Sequence, residues 1–205
     1  MSKEIARALL SIGAVVVRPD EPFTWASGIQ SPVYCDNRLT LTAPQVRTQV
    51  ENGLAALVRE KFPQAEALMG TSTAGIAHAA IAGHILGLPM GYVRGSAKDH
   101  GRKNRIEGKL VPGEKVVVVE DLVSTGGSVL EVVHALRGAG ARVLGAVCIF
   151  TYRTGIAQER FRAAQLPVYS LTDLDELAEA AAEDGRIPRD RIRQVLTFRD
   201  SLSDR

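Results

Sequence analysis

The run Val116-Val117-Val118-Val119 constrains the fold of this 205-residue chain more than any other segment. Its side chains are apolar on both faces of a pleated strand, so both faces must be buried. A strand at the edge of a sheet would instead alternate apolar and polar residues. The run therefore predicts a strand in the middle of a parallel sheet that helices cover on both faces, which is an α/β fold.

Short apolar runs and helix-like stretches alternate along the rest of the chain. Strands are predicted at 67–69, 89–94, 116–120 and 142–150, and helices at about 75–86 and 127–137. An earlier amphipathic helix is expected to begin at an N-cap on Thr42 with Pro44 in its first turn, and to end near 61–63. The apolar positions that predict this helix are Val46, Val50, Leu54, Leu57 and Val58.

Two further features complete the predicted architecture. Gly138 and Gly140 should end the helix of 127–137 and turn the chain into the next strand, which makes a βαβ unit. The tail, residues 172–205, is expected to form two short helices. With 45% hydrophobic residues, the chain can bury one sizeable core, so we predict a single domain over residues 1–205.

Composition narrows the class of protein. The net charge of +2 comes from 25 basic and 23 acidic residues spread along the chain, so no basic surface for a nucleic acid is predicted. No run approaches the roughly 20 apolar residues of a membrane span, and charged residues near the N-terminus interrupt any secretory signal. Cys35 and Cys148 are predicted to be reduced thiols in a cytoplasmic protein.

The segment from Val116 to Ser128 carries the most specific chemistry. Ligands of open parallel sheets bind beyond the carboxyl ends of the strands, where Glu120 and Asp121 could accept hydrogen bonds from ribose hydroxyls. The small residues of 124–128 offer backbone N–H groups, hydroxyls and the positive end of a helix, which suit a phosphate. An ordinary strand-to-helix turn explains single residues of this pattern, but not their combination.

This pattern resembles the motif that binds phosphoribosyl pyrophosphate (PRPP) in type I phosphoribosyltransferases, and the resemblance covers about residues 23–152. It implies the type I fold, a central parallel sheet flanked by helices with a small N-terminal hood within about 1–40. Residues 70–75 resemble the family's pyrophosphate loop and lack the Lys-Ser/Thr of a Walker loop. The PRPP-binding residues implied are Thr71, Ser72, Thr73, Glu120, Asp121, Leu122, Val123, Ser124, Thr125, Gly126, Gly127 and Ser128.

Residues 95–110 resemble the mobile catalytic loop of the orotate-specific members of that family. The resemblance implies that Arg94, Lys98 and His100 are catalytic and bind PRPP. Such cations would stabilise the negative charge that develops on departing pyrophosphate. In the family this loop reaches the neighbouring subunit's site, so a homodimer with shared active sites is implied. A solvated charged loop is the alternative for such a run taken alone.

Residues 23–28 and 31–34 resemble the orotate-binding hood, and the resemblance implies orotate contacts from Ser27, Gly28, Ser124 and Arg153. For Arg153, a surface arginine at a strand end is an equal alternative. The activity implied is transfer of the 5-phosphoribosyl group from PRPP to orotate, giving orotidine 5′-phosphate and pyrophosphate for pyrimidine (UMP) biosynthesis. Mg²⁺ is implied as cofactor, held mainly by PRPP itself.

The chain departs from the family pattern at positions where relatives carry lysines, namely Gly95 or Ser96, Ala74 and Ala26. Less fixed positive charge is therefore expected near pyrophosphate, with Arg102 or Lys103 as candidates to compensate. Two alternative functions stay open. One is transfer to another base such as xanthine or uracil, and the other is a regulator that senses PRPP or pyrimidines without catalysis.

Overall fold

The chain forms an α/β fold, described by a computed structural model for residues 2–24, 28–95 and 105–202. In chain order the elements are α1 (Ser2–Ser11), β1 (Val15–Val17), β2 (Phe23–Thr24), β3 (Gln30–Ser31), β4 (Val33–Cys35), a 3-10 helix (Asn37–Thr42), α2 (Pro44–Lys61), β5 (Ala67–Thr71), α3 (Ala74–Leu86), β6 (Met90–Val93), β7 (Ile106–Glu107), β8 (Lys115–Val123), α4 (Gly127–Gly138), β9 (Arg142–Thr151), α5 (Gly155–Ala163), β10 (Val168–Asp173), α6 (Leu174–Glu183), a 3-10 helix (Arg189–Arg191) and α7 (Ile192–Ser201).

A six-stranded sheet in the order β10-β9-β8-β5-β6-β7 organises the fold. Its strands are parallel, except that β7 pairs antiparallel with β6 at one edge. Two small antiparallel pairs, β1 with β4 and β2 with β3, precede this sheet in the chain. The central position predicted for residues 116–120 is confirmed, because β8 has a parallel neighbour on each side.

The sheet separates two apolar clusters, as the Val116–Val119 run predicted. Val117 and Val119 belong to a cluster that includes α1, α2, α3 and α6. Val116 and Val118 belong to the other, which includes α4. All four valines are 0% exposed, so β8 is held from both faces and its carboxyl end is fixed in position.

Two local predictions need correction, and a third, the end of the helix at Gly138 and Gly140, is confirmed. The N-cap of α2 is Ala43 rather than Thr42, whose hydroxyl donates to Leu39 O within the preceding 3-10 helix. β8 continues three residues beyond Glu120, because residues 122 and 123 still pair with β9. Gly138 is the last residue of α4, while Gly140 takes the left-handed conformation at φ 89° that the turn requires.

The two ends of the described chain pack together, which the sequence analysis did not predict. α1 buries one face, including Leu9 and Leu10, and contacts α6 and β10. Lys3 and Arg7 on its exposed face pair with acidic residues at the end of α6, with N–O distances of 2.7 to 3.0 Å. The predicted helices of the tail are confirmed as α6 and α7.

The described helices were also compared with the length and hydropathy of a membrane span. None of the helices within residues 2–24, 28–95 and 105–202 is long and apolar enough to cross a bilayer.

Candidate active site

A cavity of about 390 Å³ opens where the neighbouring strands β5 and β8 end. Because these strands are parallel, their carboxyl ends and the loops that follow meet at one edge of the sheet. The cavity therefore joins the two motifs that the sequence analysis identified separately. Its lining residues are Cys35, Asp36, Arg38, Ser72, Thr73, Ala74, Glu120, Asp121, Leu122 and Ser128.

Glu120 is the anchored member of the acidic pair. Its carboxylate is 5% exposed and accepts from the Thr71 hydroxyl at 2.6 Å and the Ser128 hydroxyl at 2.9 Å. The backbone N–H of Asp121 donates to the same carboxylate at 3.0 Å. Glu120 therefore ties β5, β8 and the start of α4 together, while Asp121 is the more accessible acid.

The protonation of Glu120 depends on its surroundings. Burial and the adjacent Asp121 carboxyl raise its pKa from 4.5 to about 7, although hydrogen bonds from Thr71 and the Asp121 N–H oppose the change. Near neutral pH both the protonated and the ionised form of the Glu120 carboxyl are therefore populated. A cation or a hydroxyl donor bound at the acidic pair would favour release of that proton.

The predicted pyrophosphate loop passes very close to its neighbours. A Cβ at Gly70 would lie 2.8 Å from Ile76 Cα, and one at Gly75 would overlap Thr71 and the Val119 carbonyl. Glycine at these positions lets the loop fold tightly against β8. The Ser72 hydroxyl donates to Val93 O at 2.6 Å, and the contact predicted between Ser72 and pyrophosphate stays a prediction.

Side-chain hydrogen bonds hold the backbone of the predicted phosphate turn, residues 124–127. The Thr154 hydroxyl donates to Ser124 O at 2.7 Å, and Arg160 donates to Thr125 O at 3.1 Å. Gly126 adopts φ 78°, and a Cβ there would lie 2.7 Å from the Phe161 ring. Glycine is therefore required at this turn by both conformation and space.

The helix α4 begins at this turn with donors available for an anion. Its N-cap, Gly126, has no side chain that could occupy the first N–H groups. The N-terminus of such a helix binds phosphate through those groups and the helix dipole. The side chain of Val123 is 2% exposed and packs in the core, and the PRPP contact predicted for this residue stays a prediction.

The segment Asp36-Asn37-Arg38, of which Asp36 and Arg38 line the cavity, was missed from the sequence. It directly follows the hood-like residues 31–34, which is the signal that could have extended the prediction. Asn37 is 0% exposed, and its Nδ2 donates to Asp121 O at 2.8 Å. The segment is therefore fixed to β8 beside the acidic pair.

The catalytic residues predicted for 95–110 are only partly described. Lys98 and His100 lie outside the described residues. Arg94 follows β6 directly, and its Nη1 lies 3.5 Å from Glu107 Oε1 on β7. Its backbone N–H donates to Arg105 O at 2.8 Å, so the two ends of the predicted loop are joined at the base.

The residues predicted to contact orotate are spread over separate places. Ser27 lies outside the described residues, and Gly28 stands between β2 and β3 at φ 83°. Arg153 follows β9, where its Nη1 lies 3.3 Å from Asp173 Oδ2, and its side chain is 54% exposed. It lines a different cavity, of about 410 Å³, rather than the one beside Glu120.

The donor set of the cavity bears on the Mg²⁺ prediction. Among the described residues, no group of three His, Cys, Asp or Glu side chains could hold a metal ion on its own. The carboxylate of Asp121 is nevertheless the hard oxygen ligand that Mg²⁺ takes, and Mg²⁺ commonly binds through substrate phosphates with one or two carboxylates. The cavity therefore fits an ion that arrives with a diphosphate.

Comparison with known proteins agrees with this geometry. A family model described as phosphoribosyl transferase domain matches residues 41–170. An orotate phosphoribosyltransferase of Bacillus subtilis is 57% identical over 195 residues, which cover 95% of this chain and 90% of the relative.

Two solved structures of orotate phosphoribosyltransferases share the fold. The enzyme of Aeropyrum pernix has a TM-score of 0.77 at 28% identity and covers 89% of this chain and 99% of its own. The enzyme of Mycobacterium tuberculosis in complex with PRPP has a TM-score of 0.67 at 26% identity and covers 86% and 98% of the two chains. The chain thus belongs to the phosphoribosyltransferase family and, within it, to the orotate phosphoribosyltransferases.

Proposed function

We propose that this chain transfers the 5-phosphoribosyl group of PRPP to orotate in the cavity between the ends of β5 and β8. The products are orotidine 5′-phosphate and pyrophosphate, in the biosynthesis of UMP. Family membership supports the reaction. The observation that carries the choice of site is the acidic pair Glu120-Asp121 between two loops rich in backbone donors.

In this proposal the two loops divide PRPP between them. The 5-phosphate lies at the N-terminus of α4, which Gly126 leaves uncapped by any side chain. The ribose hydroxyls face Asp121, and Glu120 behind it fixes the strand end and the adjacent loop. The diphosphate lies along residues 71–75, where backbone N–H groups are its donors. PRPP is thus fixed at both ends, with C1′ between them.

Mg²⁺ is the proposed cofactor, with Asp121 as the protein carboxylate nearest to it. When bound with the diphosphate, the ion supplies positive charge that stabilises the leaving group. The reaction needs no protein nucleophile, because a ring nitrogen of orotate displaces pyrophosphate at C1′ through an oxocarbenium-like state. The protein's task is to position the two substrates and to stabilise the departing charge.

Residues 95–110 are the proposed lid, and β7 lies within them. Arg94, Lys98 and His100 bring positive charge to the pyrophosphate as it leaves, when that charge is most effective. The antiparallel pairing of β6 with β7 joins the two ends of the lid at its base. We further propose a homodimer in which the lid of one subunit closes over the partner's site, and a cytoplasmic location, consistent with two free thiols.

The base and the reaction are tested together by following ultraviolet absorbance with PRPP and Mg²⁺. Orotate is the test substrate, and uracil, xanthine and adenine are parallel substrates. We expect rapid PRPP-dependent loss of orotate alone. Turnover of another base would identify a different transferase, and PRPP binding without any turnover would support the regulatory alternative.

A matched pair of variants locates the reaction in the proposed cavity. Asp121→Asn removes the accessible carboxylate at the cavity, whereas Asp190→Asn removes one from an exposed 3-10 helix. We expect the first variant to lose most of its turnover and the second to retain it. Equal activity of both variants would place the site elsewhere.

A further inference from the structure

Arg38 is the only cation among the described residues that line the cavity beside Glu120. It belongs to the 3-10 helix that follows β4, and its side chain is 67% exposed. The cavity is otherwise lined by three acids, Asp36, Glu120 and Asp121, and by residues of the pyrophosphate loop. A guanidinium in this place is available to an anion that enters the cavity.

The guanidinium of Arg38 is held in a defined orientation. Its Nε and Nη2 donate to the two oxygens of Asp36 at 2.6 and 2.9 Å. Asp36 also accepts from the backbone N–H of Arg38 at 3.2 Å, and Asn37 fixes the segment to Asp121 O. Arginine has five N–H donors, so the two that Asp36 takes leave three for a ligand. This geometry suits a bidentate contact with phosphate oxygens.

The pairing also fixes the charge state of both groups. The Arg38 guanidinium beside Asp36 holds the pKa of that carboxyl below its usual value. Asp36 therefore remains ionised throughout the neutral pH range and continues to accept the two hydrogen bonds from the Arg38 side chain. The arrangement is that of an arginine positioned by a dedicated carboxylate.

The position of Arg38 favours one part of the substrate. It shares the cavity with Ser72, Thr73 and Ala74 of the pyrophosphate loop, whereas residues 124–127 of the phosphate turn do not line it. The pyrophosphate loop itself contains no lysine or arginine between residues 70 and 75. A diphosphate in that loop therefore needs a cation from outside it, and Arg38 lines the same cavity.

We propose that Arg38 binds the diphosphate of PRPP and the pyrophosphate product, and that Asp36 is its positioning residue. The inference rests on the proposed function and identifies a source of the positive charge missing at Ala74. Arg38 supplies this charge from the 3-10 helix that follows β4, whereas Arg94, Lys98 and His100 supply theirs from the end of β6 and from the lid.

The test measures ligand affinity by titration calorimetry, without turnover. The variants are Arg38→Gln, Arg38→Lys and, as a matched control, Arg59→Gln on the exposed end of α2. The probes are pyrophosphate with Mg²⁺, PRPP, ribose 5-phosphate and orotidine 5′-phosphate. The last two carry the ribose phosphate without a diphosphate.

We expect Arg38→Gln to weaken pyrophosphate and PRPP about 10-fold or more, the order expected for loss of a charge-assisted hydrogen bond. Ribose 5-phosphate and orotidine 5′-phosphate should change less than about 2-fold. Arg38→Lys should recover only part of the loss, since a lysine lacks the planar fork. Arg59→Gln should match the wild type with every probe.

Three outcomes would overturn the inference. They are unchanged pyrophosphate affinity, an equal loss for ribose 5-phosphate, and a loss confined to orotidine 5′-phosphate, which would indicate a contact with the base. Failure of the proposed function has a different signature, because the wild type itself would then not turn over orotate. Unfolding by urea, which should be the same for Arg38→Gln and wild type, controls for folding.

Discussion

Replacement of Glu120 by glutamine should change how the stability of this protein depends on pH. The carboxyl is 5% exposed, and burial together with Asp121 raises its pKa from 4.5 to about 7. Between these two values, the folded chain holds a proton at Glu120 that the unfolded chain releases. The contribution of Glu120 to the free energy of unfolding is therefore complete below pH 4.5 and is lost as the pH rises through about 7.

The expected size of this loss follows from the two pKa values. A change from 4.5 to about 7 corresponds to about 3 kcal/mol between pH 4 and pH 8. Glutamine is neutral throughout and can still bond the hydroxyls of Thr71 and Ser128, which donate or accept. Glu120→Gln should therefore be close to wild type in stability at pH 4.5 and more stable than wild type by up to about 3 kcal/mol at pH 8.

The measurement is urea unfolding of both proteins at half-unit steps from pH 4.5 to pH 8. Taking the difference between the two proteins at each pH removes the contributions of all other titrating groups. Glu159→Gln, which removes a carboxyl from the exposed surface of α5, is the control and should follow the wild-type curve within error. Parallel curves for Glu120→Gln and wild type over this range would refute the reasoning.

Three further predictions concern the turn, the core and the lid. Gly126→Ala forces a Cβ against Phe161 at φ 78°, whereas a Cβ in Gly127→Ala meets open space. We therefore expect Gly126→Ala to raise the KM for PRPP at least about 10-fold and Gly127→Ala to raise it far less. Equal KM values for the two variants would contradict the role of the turn. Glu51 Oε1 and His78 Nδ1 form a buried pair between α2 and α3 at 2.6 Å. Glu51→Ala should therefore lower the free energy of unfolding, measured in urea, by about 3 kcal/mol or more, and Glu51→Gln should lower it less. A loss under about 1 kcal/mol for Glu51→Ala would be inconsistent with a buried pair. Lys98→Ala should lower turnover, measured by steady-state kinetics, at least about 100-fold, with PRPP binding less affected. Turnover close to that of the wild type would exclude Lys98 from the mechanism.

The centre of the fold was predictable because its signals are local. The valines of 116–119 must be buried on both faces, and the small residues that follow must turn into a helix, so β8 and α4 could be placed without knowledge of their neighbours. The orientation of the Glu120 side chain could not be predicted in this way. A strand buried on both faces carries no alternation that indicates which way an acid points, and the partners of Glu120, Thr71 and Ser128, come from two other segments, β5 and α4.

Arg38 illustrates a second limit of the sequence. An arginine beside an aspartate in a polar stretch is usually a solvated surface pair, and nothing in residues 36–38 alone indicates a ligand. Arg38 is placed at the cavity by the hydrogen bond from Asn37 to the backbone of β8, which joins segments 84 residues apart. α1 was missed for a similar reason, because the surface that stabilises it is contributed by α6 and β10.

The packing of α1 has a consequence for the order in which a newly made chain can fold. The side-chain partners of its first residues are Thr172, Glu183 and Asp184, and they are synthesised about 170 to 180 residues later. A chain still on the ribosome therefore carries α1 without its contacts to β10 and α6 until those elements have emerged, although the region from β5 to β6 can already pair. α1 thus completes its packing only after α6 has been made, and until then the surface that α6 and β10 cover is open to chaperones and proteases.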